Sequence, residues 1–226
     1  MGEDGYGQYC PVTRAVEVLA ERWTLLIVRD MLCGRTRFND LARGNPGLSR
    51  TLLSKRLRQL ERAGVVAHVG DQYLLTPAGE DLRPVVFGLG GWGARWQFGD
   101  PRDQELDPLL LMWWVHGRIA FDQLPDRQLL LEFRFPDVAA RFWVLRDAQG
   151  PSICTFDPGF GVDATVEGDL PVLYQVWLGR VPLSTALRDG RVRIDGRPDV
   201  TRPLPAALQL SPMAETVAAA SGVPLT

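Results

Sequence analysis

Residues 48–62 carry side chains whose types and spacing suit contacts with nucleic acid. At 100° per residue, Leu53, Leu57 and Leu60 share one helical face, and a polar and basic set points the other way. That outward set is Thr51, Ser54, Lys55, Arg58 and Arg62. Its hydroxyl and cationic groups can hydrogen bond to base edges in a major groove, where arginine pairs with guanine O6 and N7. The pattern predicts an amphipathic helix that is buried on one face and can contact DNA with the other.

The neighbouring segments predict the elements that would hold this helix in place. Residues 37–43 are expected to form a short helix, and the Gly-Asn-Pro-Gly sequence at 44–47 predicts a turn. Ser49 suits the N-cap of the next helix, and residues 65–76 are predicted to fold back around a Gly-Asp turn as a tight hairpin. This order of helix, turn, helix and hairpin is that of a winged helix-turn-helix. Because the hairpin tip has no Lys or Arg, we expect it to contribute little phosphate binding.

Positive charge is concentrated around the same helix. The whole chain has a net charge of −2, yet residues 35–62 hold eight basic and two acidic residues. The predicted DNA-binding residues are Arg37, Ser49, Arg50, Thr51, Ser54, Lys55, Arg58 and Arg62. Arg56 projects nearer the apolar face, so we assign it to packing or to an ion pair. The alternative interpretation is that the basic run is an ordinary solvated helical face.

Two longer apolar patterns flank the winged helix-turn-helix. Apolar residues at spacings of three and four predict a helix over 11–32 and another over about 78–97. The second pattern includes Trp92, Trp96 and several glycines. Long apolar helices beside a winged helix usually form a dimer interface, and a two-fold partner suits palindromic DNA half-sites. We therefore expect a homodimer that binds double-stranded DNA.

Five stretches of the first hundred residues resemble HxlR-type winged-helix regulators. They are Tyr-Cys-Pro-Val at 9–12, Leu-Ala-Glu-Arg-Trp-Thr-Leu-Leu-Ile at 19–27, Arg-Phe-Asn-Asp-Leu at 37–41, the run 53–64 and Leu-Thr-Pro-Ala-Gly at 75–79. The resemblance spans about 9–97 in the family's order and implies a dimeric transcription factor. Some family members sense oxidants through an N-terminal cysteine, and Cys10 stands at the matching position. Cys10 is thus a redox candidate, with a structural cysteine at a helix N-terminus as the alternative.

The second half of the chain predicts an α+β domain. Residues 99–107 are polar and contain a proline, so we place the boundary there, with domains 1–98 and 99–226. A buried helix is expected over 106–121. Alternating apolar residues predict strands at 128–135, 142–147, 152–156, 162–167 and 191–195. Helices predicted at 169–178, 183–189 and 203–220 would cover one antiparallel sheet.

Two segments of this half resemble the sterol-carrier-protein fold. They are Val-Asp-Ala-Thr-Val-Glu-Gly-Asp-Leu-Pro-Val-Leu-Tyr at 162–174 and the run 178–196. The resemblance covers about 105–212 and implies a cavity for a hydrophobic small molecule. The pocket residues expected from it are Trp113, Phe133, Trp143, Tyr174 and Trp177. The alternative is that all five belong to an ordinary core.

The sequence argues against catalysis, metal binding and cofactor binding. It has no nucleophile elbow, phosphate-binding loop or dinucleotide fingerprint. Its two histidines and three distant cysteines match neither a zinc site nor a disulfide framework. Residues 1–6 lack the features of a secretory signal, and no apolar run is long enough to cross a bilayer. We therefore expect a cytoplasmic protein with no metal, no cofactor and no membrane contact.

Together these patterns predict a DNA-binding transcriptional regulator, with repression expected rather than activation. Either a hydrophobic molecule in the C-terminal domain or the redox state of Cys10 would control it. The alternative function is a lipid-binding carrier whose winged helix serves protein–protein contacts. The basic outward face of residues 51–58 favours DNA, because a protein-contact surface would not need that charge.

Overall fold

The computed structural model describes residues 6–222, and the chain divides into two compact units between Leu89 and Gly90. This division falls inside a helix, upstream of the boundary between 98 and 99, which stays a prediction. Residues 1–5, most of the stretch that lacks signal-peptide features, lie outside the described residues. Of the helices formed by residues 6–222, none is long and apolar enough to cross a membrane.

The N-terminal unit packs short helices and a hairpin around a leucine-rich core. Its elements are α1 (Pro11–Leu19), α2 (Thr24–Leu32), α3 (Phe38–Gly44), α4 (Arg50–Arg62), β1 (Val66–Val69), β2 (Gln72–Leu75), α5 (Pro77–Glu80) and the first part of α6 (Arg83–Trp96). The core side chains Ile27, Val28, Leu41, Leu53 and Leu57 are fully buried. The structure therefore confirms the predicted winged helix-turn-helix, with α4 as its third helical segment after α2 and α3.

The prediction of a single helix over 11–32 is wrong, because the helix is interrupted between α1 and α2. Trp23 takes the left-handed conformation, with φ at 79°, which ends helical continuation at a cost of roughly 1–2 kcal/mol. A Cβ atom at Gly47 would lie 3.0 Å from Cη2 of Trp23, so the indole packs directly on the turn before α4. This tertiary contact accompanies the break in a helical pattern that looked continuous from the sequence.

The helix expected over 78–97 is likewise two helices, α5 and α6. Pro84, the second residue of α6, has no N–H to donate, and its ring would clash with the carbonyl of residue 80 in a continuous helix. The chain therefore turns at residues 81–82. Val86 of α6 is buried in the N-terminal core, whereas Val85 and Leu89 are half exposed.

The C-terminal unit combines a sheet with short helices. After a 3₁₀-helix at Asp103–Glu105 come α7 (Pro108–His116), a 3₁₀-helix at Phe121–Gln123, β3 (Leu129–Phe135), a 3₁₀-helix at Pro136–Val138, β4 (Ala140–Asp147), β5 (Gly150–Cys154), β6 (Ala164–Gly168), α8 (Leu170–Trp177), α9 (Leu183–Arg188), β7 (Val192–Gly196), α10 (Pro198–Thr201), α11 (Leu204–Ala207) and α12 (Ala214–Ser221). Alternate residues of β3, including Leu131 and Phe133, point into the apolar core. The unit has the α+β character that the sequence predicts.

The prediction of a purely antiparallel sheet is wrong, because the sheet contains both parallel and antiparallel pairs. Within the described residues its order is β5-β4-β3-β6-β7, and β3 and β6 run parallel, with Leu131 opposite Ala164. The other neighbouring pairs are antiparallel. Residues 155–163 carry the chain from β5 at one edge to the far side of β3, and a crossover of this kind sets the flanking strands parallel.

Two predicted helices of this unit are shorter than expected. The helix predicted over 106–121 covers only α7, and the tail predicted over 203–220 splits into α11 and α12. Between α11 and α12, Gln209 N–H donates to the Arg118 carbonyl at 3.2 Å, and Ser211 N–H donates to the Trp177 carbonyl at 2.9 Å. In a continuous helix, these two backbone N–H groups would donate to carbonyls four residues earlier. Because they donate to Arg118 and Trp177 instead, the helix is interrupted here.

Candidate nucleic-acid interface and apolar cavity

Helix α4 is positioned by one cap and by its leucine face. The Ser49 hydroxyl accepts a hydrogen bond from the Leu52 amide at 3.2 Å, which satisfies a donor at the start of the helix. Leu53 and Leu57 are fully buried and Leu60 is 1% exposed. The predicted cap and the predicted helical phase are therefore confirmed.

The opposite face of α4 carries the predicted polar and basic side chains. Thr51, Lys55, Arg58 and Arg62 are exposed, and Ser54 is half-buried. The Nε groups of Arg58 and Arg62 donate to the backbone carbonyls four residues earlier, at 3.3 and 3.2 Å, so both side chains lie back along the helix. Among the described residues Lys55 has no hydrogen bond or ion pair. The face thus presents hydroxyl and cationic groups to the surroundings.

The two remaining arginines of the predicted set lie at the start of α3 and α4. Arg50 donates to Asn39 Oδ1 at 2.8 Å, and its guanidinium lies 5.0 Å from the centre of the Phe38 ring. Arg37 is the N-cap residue of α3, directly before Phe38. The contacts of Arg50 with Phe38 and Asn39 therefore join the start of α3 to the start of α4, where Ser49 and Thr51 lie.

Arg56 has the packing and ion-pair role that its helical phase predicts. It is 7% exposed, its Nε donates to the Arg22 carbonyl at 3.1 Å, and its Nη2 lies 2.6 Å from Glu21 Oε2. Gln59 accepts from Nη1 at 2.7 Å. Arg56 therefore ties α4 to the segment that joins α1 and α2, and it takes no part in the exposed face.

A buried polar pair that the sequence analysis missed holds the turn before α4. Asn45 donates to Asp30 Oδ2 at 2.6 Å and to the Leu41 carbonyl at 3.0 Å, and Arg29 lies 2.6 Å from Asp30 Oδ1. Asp30 is fully buried, and burial raises the pKa of its carboxyl to about 6. The sequence signal for Asn45 indicated only a turn, since its partner lies fifteen residues away.

Cys10 is half-buried at the N-cap of α1. The backbone N–H groups of Thr13 and Val12 lower the pKa of its thiol below the ordinary value. Exposed N–H groups at a helix start stabilise a thiolate in this way. Cys33, at the end of α2, and Cys154, on β5, are also half-buried thiols.

The C-terminal unit contains an apolar cavity of about 50 Å³. Its lining residues come from α7, the sheet, α8, α9 and the segment after α11, and they are Leu111, Met112, Val115, Phe133, Phe135, Val166, Leu173, Val176, Trp177, Leu183, Leu208, Gln209 and Leu210. Gln209 is the one polar side chain in this lining. A space of this size and polarity suits an apolar group rather than an ordered water molecule.

The structure brings only part of the predicted pocket set to this cavity. Phe133 and Trp177 line it, whereas Trp113, Trp143 and Tyr174 do not. The Trp113 ring lies 4.8 Å from His116, and Trp143 lies on the sheet face opposite Val144. The Tyr174 hydroxyl donates to the Asp107 carbonyl at 2.9 Å, and burial raises its pKa to about 12. Across residues 6–222, no three His, Cys, Asp or Glu side chains cluster as a metal site would require.

Comparison with known proteins identifies the N-terminal part of the chain. The HxlR-like helix-turn-helix family matches residues 18–100, from the end of α1 to just beyond α6. The HTH-type transcriptional regulator YvaP of Bacillus subtilis is 36% identical over 97 residues, and the match spans 39% of this chain and 90% of YvaP. The chain belongs to the HxlR-like helix-turn-helix family.

Members of the HxlR-like family are DNA-binding transcriptional regulators, which are not enzymes. The HTH-type transcriptional regulator Mb3122 of Mycobacterium bovis is 45% identical over 89 residues, spanning 36% of this chain and 56% of that relative. The solved structure of quinone-bound YodB from B. subtilis is 30% identical, covering 38% of this chain and 99% of YodB with a TM-score of 0.36. The HxlR-like match and the similarity to YvaP confirm the prediction of a DNA-binding regulator, and the family is one of regulators rather than enzymes. Residues 101–226 lie outside the HxlR-like match.

Proposed function

We propose that this HxlR-like regulator is a homodimeric repressor that inserts α4 into the major groove of DNA. One observation carries the proposal: α4 has a fully buried leucine face and an opposite face of exposed hydroxyl and cationic groups. A helix held rigidly on one side can present the other to base edges, and this is how helix-turn-helix proteins read sequence.

The position of each side chain along α4 suggests its contact. Thr51, Ser54 and Lys55 lie in the first half of the helix, where base edges are reached. Arg58 can pair with a guanine, and Arg62 and Arg50 at the two ends can bind phosphates. Phosphate contacts would supply much of the affinity and make it steeply dependent on salt.

An exposed apolar stripe on α6 supports a dimer. Val85, Leu89, Trp92 and Trp96 recur at spacings of four, three and four, and each is at least half exposed. A contiguous stripe of large apolar side chains marks an interaction surface in a soluble domain. A two-fold partner would place two α4 helices in successive major grooves, about 34 Å apart.

We assign residues 1–98 to DNA binding and dimerisation, and 99–226 to a sterol-carrier-like domain that takes a hydrophobic effector. The support is the apolar lining of the cavity, which includes Phe133 and Trp177; at about 50 Å³ the cavity would have to widen to hold a whole effector molecule. An effector would control repression only if it binds the DNA-competent and DNA-incompetent states with different affinities. A ligand that binds tightly yet leaves operator affinity unchanged would contradict this assignment.

Cys10 is the second proposed control point. Its lowered thiol pKa and its place at a helix start favour reaction of the thiolate with oxidants or electrophiles. Treatment of reduced protein with a peroxide or a quinone should then change operator affinity, and Cys10→Ser should abolish the response. An unchanged affinity in wild-type protein would leave Cys10 with a structural role.

We also propose that the protein works in the cytoplasm, because a protein that binds chromosomal DNA would work there.

The experiment that tests the proposed function is selection from genomic DNA. Purified protein would be incubated with sheared DNA of its source organism at near-physiological salt, with and without reductant, and the retained fragments sequenced. We expect enrichment of a few palindromic sites. Folded protein that enriches nothing above random fragments would contradict DNA recognition and favour the lipid-carrier alternative.

Arg58→Ala separates base reading from phosphate binding in the selected operator. If Arg58 pairs with a guanine, the variant should lose roughly 1–3 kcal/mol of operator affinity and keep its affinity for random DNA. Fluorescence anisotropy with both duplexes measures the two losses. An equal loss on both duplexes would make Arg58 a phosphate contact.

A further inference from the structure

The tip of the wing faces the start of α3 through an ion pair. Arg37 Nε lies 3.4 Å from Asp71 Oδ2, and the two side chains are 62% and 75% exposed. Asp71 is the second residue of the two-residue turn between β1 and β2, after Gly70 with φ at 62°. From the sequence, the hairpin tip was expected only to contribute little phosphate binding. In the structure its acidic residue, Asp71, has a basic partner in Arg37.

The backbone fixes these two residues next to each other. The Tyr73 amide donates to the Thr36 carbonyl at 2.7 Å, and Gln72 and Arg37 form an isolated antiparallel bridge. The second strand of the wing thus runs beside the segment that enters α3. Backbone contacts hold residues 36–37 next to residues 72–73. Asp71 therefore stays near Arg37 whichever rotamers the two side chains adopt.

Arg37 also lies beside the groups proposed to contact DNA. It directly precedes Phe38 and Asn39, which hold the guanidinium and the donor groups of Arg50 at the start of α4. Arg37 is therefore well placed to reach the phosphate backbone next to the groove that α4 enters. The nearby Asp71 carboxylate, however, offsets part of the charge of this guanidinium through an exposed ion pair of modest strength.

We propose that Asp71 withholds Arg37 from the DNA backbone and so sets the affinity of the protein for DNA of any sequence. The inference rests on the proposed insertion of α4 into the major groove. The Asp71 carboxylate competes with phosphate for Arg37 and repels phosphate itself. Removing that carboxylate should convert Arg37 into an additional phosphate contact, which releases one more counterion on binding.

Asp71→Asn tests this role with a gain of binding, which a damaged fold would not produce. Asparagine is nearly isosteric and is well tolerated in hairpin turns of this kind. We expect roughly a three- to tenfold increase in affinity at about 0.1 M salt, on random and operator duplexes alike. The plot of log K against log salt should steepen by about 0.9 for the extra phosphate contact.

Two further variants separate local competition from a general change in charge. Asp81→Asn removes one exposed acidic group at the end of α5, and it should leave affinity and salt slope close to wild type. In the Arg37→Ala background, Asp71→Asn should give no gain, because the withheld guanidinium is absent. Fluorescence anisotropy with a 20-base-pair random duplex as the probe, from low to high salt, measures all five proteins.

The outcomes distinguish this inference from the proposed function. Asp71→Asn protein that binds with wild-type affinity and slope, while wild type binds DNA, overturns the role of Asp71 and leaves the regulator proposal intact. A gain that persists in the Arg37→Ala background also overturns it, because the effect would then be general electrostatics. Failure of every folded variant to bind DNA overturns both.

Discussion

The two units use similar apolar side chains in different ways. In the N-terminal unit, Leu53 and Leu57 of α4 are fully buried, and Arg56 and Asn45 add polar ties around the same helix. In the C-terminal unit, leucine, valine and aromatic side chains surround a cavity of about 50 Å³. A tightly tied helix keeps a fixed orientation, which the proposed DNA contact of α4 requires, whereas an unfilled core can accept an added group at little cost.

The largest expected effect comes from emptying the core under α4. Leu57→Ala should lower the free energy of unfolding by roughly 2–5 kcal/mol, because the removed side chain leaves a cavity among packed neighbours. Denaturant unfolding monitored by tryptophan fluorescence measures the change. A negligible loss would mean that the leucine face of α4 is less closely packed than its burial indicates.

A matched pair of substitutions sharpens the comparison between the two cores. Val28 is fully buried in the N-terminal core, and Val166 is 1% exposed on the cavity wall. Val28→Ile should destabilise its unit by roughly 1–3 kcal/mol through overpacking. Val166→Ile adds the same methylene beside open space, so it should be neutral or stabilise by up to about 1 kcal/mol.

Calorimetric unfolding of the full-length chain measures whether each variant lowers or raises the stability. Equal destabilisation by the two variants would show that the cavity wall is as rigid as the N-terminal core. Such a result would also weaken the case for an effector site in the C-terminal unit.

The smallest expected effect is a pH dependence of the N-terminal unit. Burial raises the pKa of Asp30 to about 6 from an ordinary value of 3.8, so the folded state binds this proton more tightly than the unfolded state. The free energy of unfolding should therefore rise by about 1 kcal/mol as the pH falls from 7 to 5. Comparison with Asp30→Asn isolates this carboxyl, since the variant should lack that increment. An identical pH dependence in both proteins would contradict a raised pKa.

The parts of the molecule that sequence predicts well are those with local causes. The start of α4 follows from Ser49, and its phase follows from leucines three and four residues apart. Helical phase alone also assigned Arg56 to packing or to an ion pair. It could not identify the partner, because Glu21 lies 35 residues earlier in the chain. Local patterns therefore predicted most of the candidate DNA-binding face.

The parts that sequence missed depend on distant contacts. The break at Trp23 accompanies packing on Gly47, and the parallel pairing of β3 with β6 is set by a crossover rather than by strand composition. Residue type likewise could not separate Trp177, which lines the cavity, from Trp143, which lies on the other face of the sheet. Apolar character predicts burial, but it does not tell which buried space a side chain adjoins.

The contact between Trp23 and Gly47 has an evolutionary consequence. A Cβ atom at position 47 would lie 3.0 Å from the indole, tighter than an ordinary contact. Trp23 itself has a left-handed backbone, which glycine would adopt without strain. A change at 23 alone therefore loses this packing, and a change at 47 alone requires the indole to shift by a few tenths of an ångström. Among related chains, the two positions should covary: a large aromatic residue at 23 should accompany glycine at 47, and a smaller residue at 23 should permit alanine or serine at 47.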